Sequence, residues 1–533
     1  MTLTSFNFLC FFLVVIILYY AVPKKFQWVL LLLASYAFYI ASGLIQVFFI
    51  AGSTFITYLS GILMQKRRDR YKGELEAAKG LEKEQRQQLK KKLTSDIKRI
   101  QYTTIAIHLL ILCLVKYSNF IVQNINKAFS LFGGEGAIPG LNILVPLGIS
   151  FYTFMAMGYV IDIGRGKYDA ERNLGKLALF LSFFPSVVQG PISRFDEVGK
   201  RLVEEHKINY ENLTRGAQLI MWGFFKKLVI ADRIAPLVTG IFTVKMYEKL
   251  SGTAFFFGMV AYALQIYCDF SGGIDITRGA AQMLGIELPL NFKRPYFSTS
   301  VAEYWRRWHM TLGAWMKEYV FYAIMLSKHI SKLGRKVKDK YGQKASKYIP
   351  SIVTSFIVFL LMGIWHGSTW SYVAYGLYNA VLISGSMALE PVFEKILKVL
   401  HINPENNLWK LFRMVRTFLI LSIAKLLVIA PSLKYAIKIL GKMCTNINFS
   451  FQTELDKYKI NLDYKNYIVL GVALLIVLII SIIQEKGIHI RESIGKWNIV
   501  FRWLVYFIIL IMIMVFGIYG PGYDAASFIY QAY

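Results

Sequence analysis

The sequence predicts an all-α, polytopic transmembrane helical bundle with about 11–13 membrane segments, some of them re-entrant or partial. Three observations predict it. Of 533 residues, 56% are hydrophobic and only 17% charged, an apolar excess that a water-soluble fold has no interior large enough to hide. Apolar runs close to the ~20 residues a spanning helix needs recur along the chain. The net charge of +29 is divided among the loops between those runs, where Lys and Arg report membrane topology and not a basic face for nucleic acid. Membrane lipid is therefore an expected partner and nucleic acid is not.

Taken in order, spans are expected near 5–22, 26–42, 44–64, 101–122 and 143–163. The N-terminus has no basic region ahead of its apolar stretch and no A-x-A cleavage site, so the first span reads as retained. Between 65 and 100, Lys66-Arg67-Arg68 and Lys90-Lys91-Lys92 alternate with Glu74, Glu76, Glu82 and Glu84, the composition of a solvated, cytosolic helical insertion. With that stretch inside, Lys24-Lys25 and Arg165–Lys167 also fall inside and the Gly-rich 133–142 outside. The run from Leu174 to Val188 is short and contains Pro185, which suggests a re-entrant segment lining an internal chamber. Further apolar stretches follow near 216–240 (with Lys226-Lys227 at its middle), 253–270, 310–326, 350–365, 370–389, 411–431, 467–483 and 499–519. The basic loop 328–348 is placed in the cytosol and 433–466 outside. The whole chain, 1–533, reads as one membrane domain with its catalytic core region in 141–390, and no internal repeat of the transporter kind is visible. Cysteines 10, 113, 268 and 444 have no pairing pattern, so they read as packing residues and no metal site is expected.

Polar groups within membrane segments are costly and so point to function. One concentration runs from Gln265 through Asp269, Ser271, Asp275 and Arg278 to Asn291, Lys293 and Arg294, ending at Trp305-Arg306-Arg307-Trp308-His309. The other is Met362–Trp370, with Trp365-His366-Gly367 at its centre. A helix begun at Pro350 puts His366 about 24 Å along it at ~1.5 Å per residue, in the outer half of the bilayer, where a partly dry imidazole suits a general base for transfer of an acyl group to a sugar hydroxyl. On spacing alone, a hydrogen-bonded packing histidine explains His366 as well. His108 stands alone on an apolar helix, and His206, His329, His401 and His489 fall in loops. Trp305, Arg306 and Trp308 read either as an interfacial aromatic belt or as a basic, aromatic entrance for an anionic donor such as a coenzyme A thioester. Asp269 and Asp275 read as ion-pair partners of Arg278 or as orienters of a histidine. No P-loop, GxSxG, HExxH or GxGxxG pattern is present.

At these residues the chain resembles the membrane-bound O-acyltransferase family, and within it the bacterial alginate O-acetyltransferase branch. The resemblance lies in Pro146–Tyr152, Phe183–Arg194, Asp269-Phe-Ser-Gly, Asn291–Tyr296, Trp305–His309, Gly363–Gly367 and the closing 520–524. It departs from that branch at Val188-Gln189 and at Met316–Tyr319. The resemblance implies a bundle around a central funnel-like cavity, with His366 and His309 as functional histidines whose roles are exchangeable. It implies substrate contacts at Trp305, Arg306, Trp308, Asn291, Asp269 and Trp365. It further implies an acyl-CoA donor, acetyl-CoA, arriving from the cytosol, with no cofactor held by the chain. The acceptor is then a cell-surface polysaccharide, reached with an extracytoplasmic partner of serine-esterase-like fold, from the bacterial cytoplasmic membrane. Within the family the D-alanyl transfer protein of teichoic acids is the nearest alternative, although the long N-terminal spans and the 526–530 tail favour the acetyltransferase branch. Outside the family a polysaccharide-precursor transporter or a scaffold subunit remains open, and His366 would be dispensable for acyl transfer in either.

Overall fold

The computed structural model describes residues 2–77, 83–133, 138–141, 143, 145–519 and 528. The closing 520–524 motif, the 526–530 tail apart from Phe528, and part of the 133–142 loop lie outside the described residues. Among the described residues every regular element is helical, and seven helices are long and apolar enough to cross a membrane: Lys24–Ser42, Leu44–Ala77, Lys83–Lys116, Gly252–Met283, Lys328–His366, Tyr464–Glu485 and Ile499–Phe516. The protein is a multi-pass membrane protein. It divides into two compact units, Met1–Ala217 with Thr277–Pro289, and Gln218–Ile276 with Leu290–Tyr533.

In the first unit, α1 (Phe6–Ala21) starts at Ser5, whose hydroxyl accepts from the Phe8 N–H at 3.2 Å and so satisfies one of the free donors of a first turn. Helix α2 (Gln27–Ser42) stops at Gly43, whose φ of 133° is open to glycine and strained for other residues. Helices α3 (Leu44–Ala77) and α4 (Lys83–Lys116) are each 34 residues long. The described parts of the charged stretch 65–100, 65–77 and 83–100, are thus carried on the continuing arms of two apolar helices, and 78–82 with Glu82 lie outside the described residues. His108 on α4 is bound at both nitrogens: Nε2 lies 3.2 Å from the Thr57 hydroxyl on α3 and Nδ1 lies 2.9 Å from the Thr104 carbonyl. It is a packing histidine, as its isolation in the sequence suggests. After α5 (Ser118–Leu131) and α6 (Ile149–Arg165), the short α7 (Leu174–Ser182) breaks at Phe183 before α8 (Phe184–Val187), and the chain then runs without regular structure to Arg194. Side chains from 177 to 193 are all buried, which is the condition under which broken backbone is tolerated at membrane depth. His206 is likewise engaged, with Nδ1 3.1 Å from the Tyr19 hydroxyl.

In the second unit, α9 (Tyr210–Phe224, whose first residues belong to the other unit) widens into a π turn over Phe225–Ala231 before α10 (Asp232–Ile241). Such π bulges occur often at functional sites, and this one carries Lys226-Lys227. Helix α11 (Gly252–Met283), whose residues from Thr277 belong with the loop up to Pro289 to the other unit, is followed by the short α12 (Val301–Arg307). The expected 310–326 span is α13 (Met310–Trp315), a second π turn over Met316–Phe321, and α14 (Tyr322–Met325). Helix α15 (Lys328–His366) is two helices meeting at Gly342, whose φ of 85° and ψ of 177° turn the chain back so that Gly334 lies against Pro350. The basic 328–348 stretch is therefore a helical hairpin, and the membrane helix begins before Pro350, not at it. Then come α16 (Trp370–Val399), α17 (Asn407–Ile429), α18 (Leu433–Thr445), α19 (Phe451–Lys457), α20 (Tyr464–Glu485), α21 (Ile490–Gly495) and α22 (Ile499–Phe516).

Candidate active site

His366 is the last residue of α15, and the helix around it fits because of two glycines. A Cβ on Gly363 would lie 2.2 Å from the Cα of Gly376, so the backbones of α15 and α16 touch where they cross. A Cβ on Gly367 would lie 2.1 Å from the Tyr372 ring. The imidazole is 6% exposed, with Trp365 at 4.9 Å and Tyr375 at 5.8 Å between ring centres. It lines a cavity of about 30 Å³ whose wall also includes Tyr262, Tyr304, Trp308, Tyr372, Tyr375 and Lys425.

His309 precedes α13 with a left-handed backbone, φ 46° and ψ 53°, a conformation disfavoured for any residue with a Cβ and found where surrounding structure enforces it. Here the enforcing residue is Asn291. Its Oδ1 accepts from the Thr311 backbone N–H at 3.1 Å and the Thr311 hydroxyl at 2.9 Å, while its own carbonyl accepts from the Met310 N–H at 2.9 Å. The same Oδ1 lies 3.1 Å from Nδ1 of His309. A backbone N–H only donates, so the atom it meets is the amide oxygen and His309 Nδ1 must be the donor. In the neutral ring the proton is then on Nδ1 and Nε2 is the basic nitrogen. The edge of Phe270 packs at 5.0 Å between ring centres, and His309 is 1% exposed. His309 and His366 are near enough to interact electrostatically.

The site thus gathers His366 and Trp308 on one cavity wall, Trp365 against His366, and the His309–Asn291 pair immediately after Trp308 in the chain. It does not gather the remaining candidates. Trp305 packs on Phe359 at 5.4 Å and is absent from the cavity wall. Arg306 is exposed, whereas Arg307 pairs with Glu303 at 2.7 Å and Glu485 at 2.9 Å. Burial alone would raise the Glu303 carboxyl, but the Thr299 N–H and hydroxyl and the Arg307 guanidinium outweigh it and hold Glu303 below the ordinary range. Asp269 pairs with Lys227 at 2.6 Å, and Lys227 also holds Asp232 at 2.8 Å. Asp275 pairs with Lys226 at 2.6 Å. The ion pair expected with Arg278 is replaced by these two lysines, and Arg278 Nε donates to the Leu288 carbonyl instead. Lysines on the helix facing α11 reach both carboxylates across a crossing where Gly223 meets the Gly272 carbonyl.

Lys425, Tyr304, Tyr372 and Tyr375 were not singled out by the sequence. The signal for Lys425 was present, since a lone lysine inside the apolar 411–431 run falls under the same cost argument that marked His366. The tyrosines carry no such signal.

Comparison with known proteins agrees with the motifs. A family model described as membrane-bound O-acyltransferase matches residues 171–337. The chain is 32% identical over 393 residues to a Pseudomonas putida protein named "Probable alginate O-acetylase", covering 73% of this chain and 71% of that one. A protein of the same name from Azotobacter vinelandii is 31% identical over 373 residues, 70% of this chain, and the match spans 66% of its length. The teichoic acid D-alanyltransferase of Bacillus subtilis is 30% identical over 286 residues, 52% of this chain and 67% of that protein.

Proposed function

The chain belongs to the membrane-bound O-acyltransferase family, and we propose that it transfers an acyl group, acetyl, from a cytosolic coenzyme A thioester to hydroxyls of a cell-surface polysaccharide. The observation that carries the reading is a histidine, His366, placed by touching helix backbones on the wall of a small cavity that Trp308 also lines, with a second histidine, His309, next in the chain to Trp308 and its tautomer set by Asn291. Acyl transfer needs a base to take the hydroxyl proton as the oxygen attacks the carbonyl. Either imidazole supplies such a base, and the Nε2 of His309 is the better defined of the two.

The donor is recognised in this reading by the exposed Arg306 with its neighbour Trp305, acting as a basic surface for the anionic part of the thioester, while the buried Trp308 lines the cavity for the acyl end. An extracytoplasmic partner of serine-esterase-like fold completes transfer to the polymer, and the bacterial cytoplasmic membrane is the site of action. Identity to alginate O-acetylases over most of the chain supports the acetyl and polysaccharide parts. Identity to a teichoic acid D-alanyltransferase favours a second reading, in which D-alanine is the group moved.

The test is the ester content of the cell surface in cells carrying the native pathway, comparing wild type with His366→Ala at equal membrane levels. Mild base should release acetate from wild-type envelopes and little from the variant. Release of D-alanine in place of acetate selects the second reading, and equal acetate from both strains removes His366 from the mechanism.

A further inference from the structure

We propose that Lys425 is a catalytic residue, whose ammonium, held by a box of aromatic rings on the wall of the His366 cavity, donates to the acyl carbonyl oxygen as that oxygen becomes an oxyanion. The inference deepens the acyl-transfer reading above and rests on it.

Lys425 lies on α17 among buried Leu421, Ala424, Leu426 and Leu427 and is itself 6% exposed. Taking an ammonium out of water costs several kcal/mol even after relaxation, and proteins ordinarily offset that with a carboxylate and hydrogen bonds. Lys226 and Lys227 follow that rule. Lys425 does not: its Nζ has no hydrogen-bond partner among the described residues. It stands instead over three ring faces, 5.0 Å from the centre of Tyr296, 5.3 Å from Tyr304 and 5.4 Å from Trp308. Tyr304 and Trp308 are stacked at 5.4 Å with 19° between their planes, so two of the faces form one stack. Ring faces attract a cation through their quadrupole. They hold its position without cancelling its charge as a carboxylate does, and its N–H bonds stay available on the cavity side.

That cavity is the one His366 lines. A fixed cation in a dry site, placed where negative charge develops, is the arrangement that lowers the barrier of acyl transfer most. In the step, the acceptor oxygen bonds to the carbonyl carbon while its proton passes to the imidazole of His366. The carbonyl π pair moves to oxygen, where Lys425 N–H bonds receive it. Collapse restores the carbonyl and breaks the carbon–sulfur bond, and the departing thiolate takes the proton back from His366. Lys425 keeps its own protons throughout.

The experiment uses inverted membrane vesicles from cells that carry the native pathway, with acetyl-CoA as probe and release of free coenzyme A as the rate. Wild type, His366→Ala, Lys425→Met and Lys425→Arg are compared at equal protein level. Lys425→Met is expected to lower kcat by about 10²–10³-fold and leave KM for acetyl-CoA within about threefold, the pattern of an interaction made in the transition state. Lys425→Arg is expected to retain part of the rate. A purely structural lysine would lower the amount of folded protein without that split, so melting of each variant is followed, and Lys425→Gln replaces Lys425→Met if the latter does not fold. Wild-type kcat in the neutral variants overturns the proposal, as does a change in KM alone. If the wild type releases no more coenzyme A than His366→Ala, the acyl-transfer reading fails, and the Lys425 assignment fails with it.

Discussion

Asn291 makes three contacts through one oxygen, and they serve two ends. The Thr311 N–H and hydroxyl fix the start of α13, and the His309 Nδ1 fixes a tautomer. Asn291→Leu removes the acceptor from all three at once. Leaving buried donors unsatisfied costs about 1–3 kcal/mol each, so the variant is expected to melt several degrees lower. Its residual folded fraction is expected to lose about tenfold to a hundredfold in turnover, the cost of a displaced group at a reacting centre, because His309 is no longer held in one position and tautomer. Asn291→Asp keeps the acceptor but buries a carboxylate in place of a neutral amide, so it should restore more of the turnover than of the melting temperature. A Leu variant as active per folded molecule as wild type would show that the tautomer does not matter. At this scale the sequence was informative where His366 interrupts an apolar run, and where Asn291 and His309 fall in a concentration of charged and aromatic residues that the family resemblance picks out. Lys425 obeys the same rule and was absorbed into its run, because one charge among Leu and Ile barely changes the character of the stretch. Asp269 and Asp275 were seen, but their partners lie 42 and 49 positions away, and a sequence cannot show which of several cations a fold brings to a carboxylate.

At the scale of elements, the crossing of α15 and α16 sets where His366 stands. Gly363 and Gly376 meet without side chains, and the Gly363 position has backbone, not a flexible side-chain end, in the way: the Gly376 Cα at 2.2 Å and the Tyr372 carbonyl at 2.8 Å. Gly363→Ala must push the helices apart, at the ~1–3 kcal/mol typical of overpacking, and carries His366 away from the cavity by part of an ångström. A shift of that order at a reacting centre costs about tenfold to a hundredfold in rate. Gly385 lies further along α16 with open space around it, and Gly385→Ala is expected to leave surface ester and melting unchanged. Equal activity in both variants would mean that the crossing does not position the histidine. The apolar runs announced most of these helices, but not the bends within them. The π turns at Phe225–Ala231 and Met316–Phe321 and the reversal at Gly342 arise from packing against neighbours, which hydropathy does not record.

At the scale of the whole molecule, ion pairs join distant parts of the chain within the second unit. The π turn that presents Lys226 and Lys227 also meets two residues far along the chain: the Ile518 N–H donates to the Leu228 carbonyl at 3.1 Å, and the Phe528 ring centre lies 4.6 Å from Lys227 Nζ. Lys227 is 2% exposed with Asp232 and Asp269 on either side, so it bridges two buried carboxylates belonging to different helices. Removing one member of a buried pair costs about 3–5 kcal/mol, mainly because a charge is left alone, whereas removing all members together is often close to neutral. Lys227→Met is therefore expected to lower the yield of folded protein severely. The triple variant Lys227→Met, Asp232→Asn, Asp269→Asn is expected to recover most of it, as judged by detergent-solubilised melting and monodispersity. The same triple variant separates two roles for Asp269. If coenzyme A release also recovers, the aspartate serves the fold alone; if the protein folds and stays inactive, Asp269 contacts substrate as its motif implies. Failure of the triple variant to fold would show that the network contributes more than the mutual neutralisation of its charges.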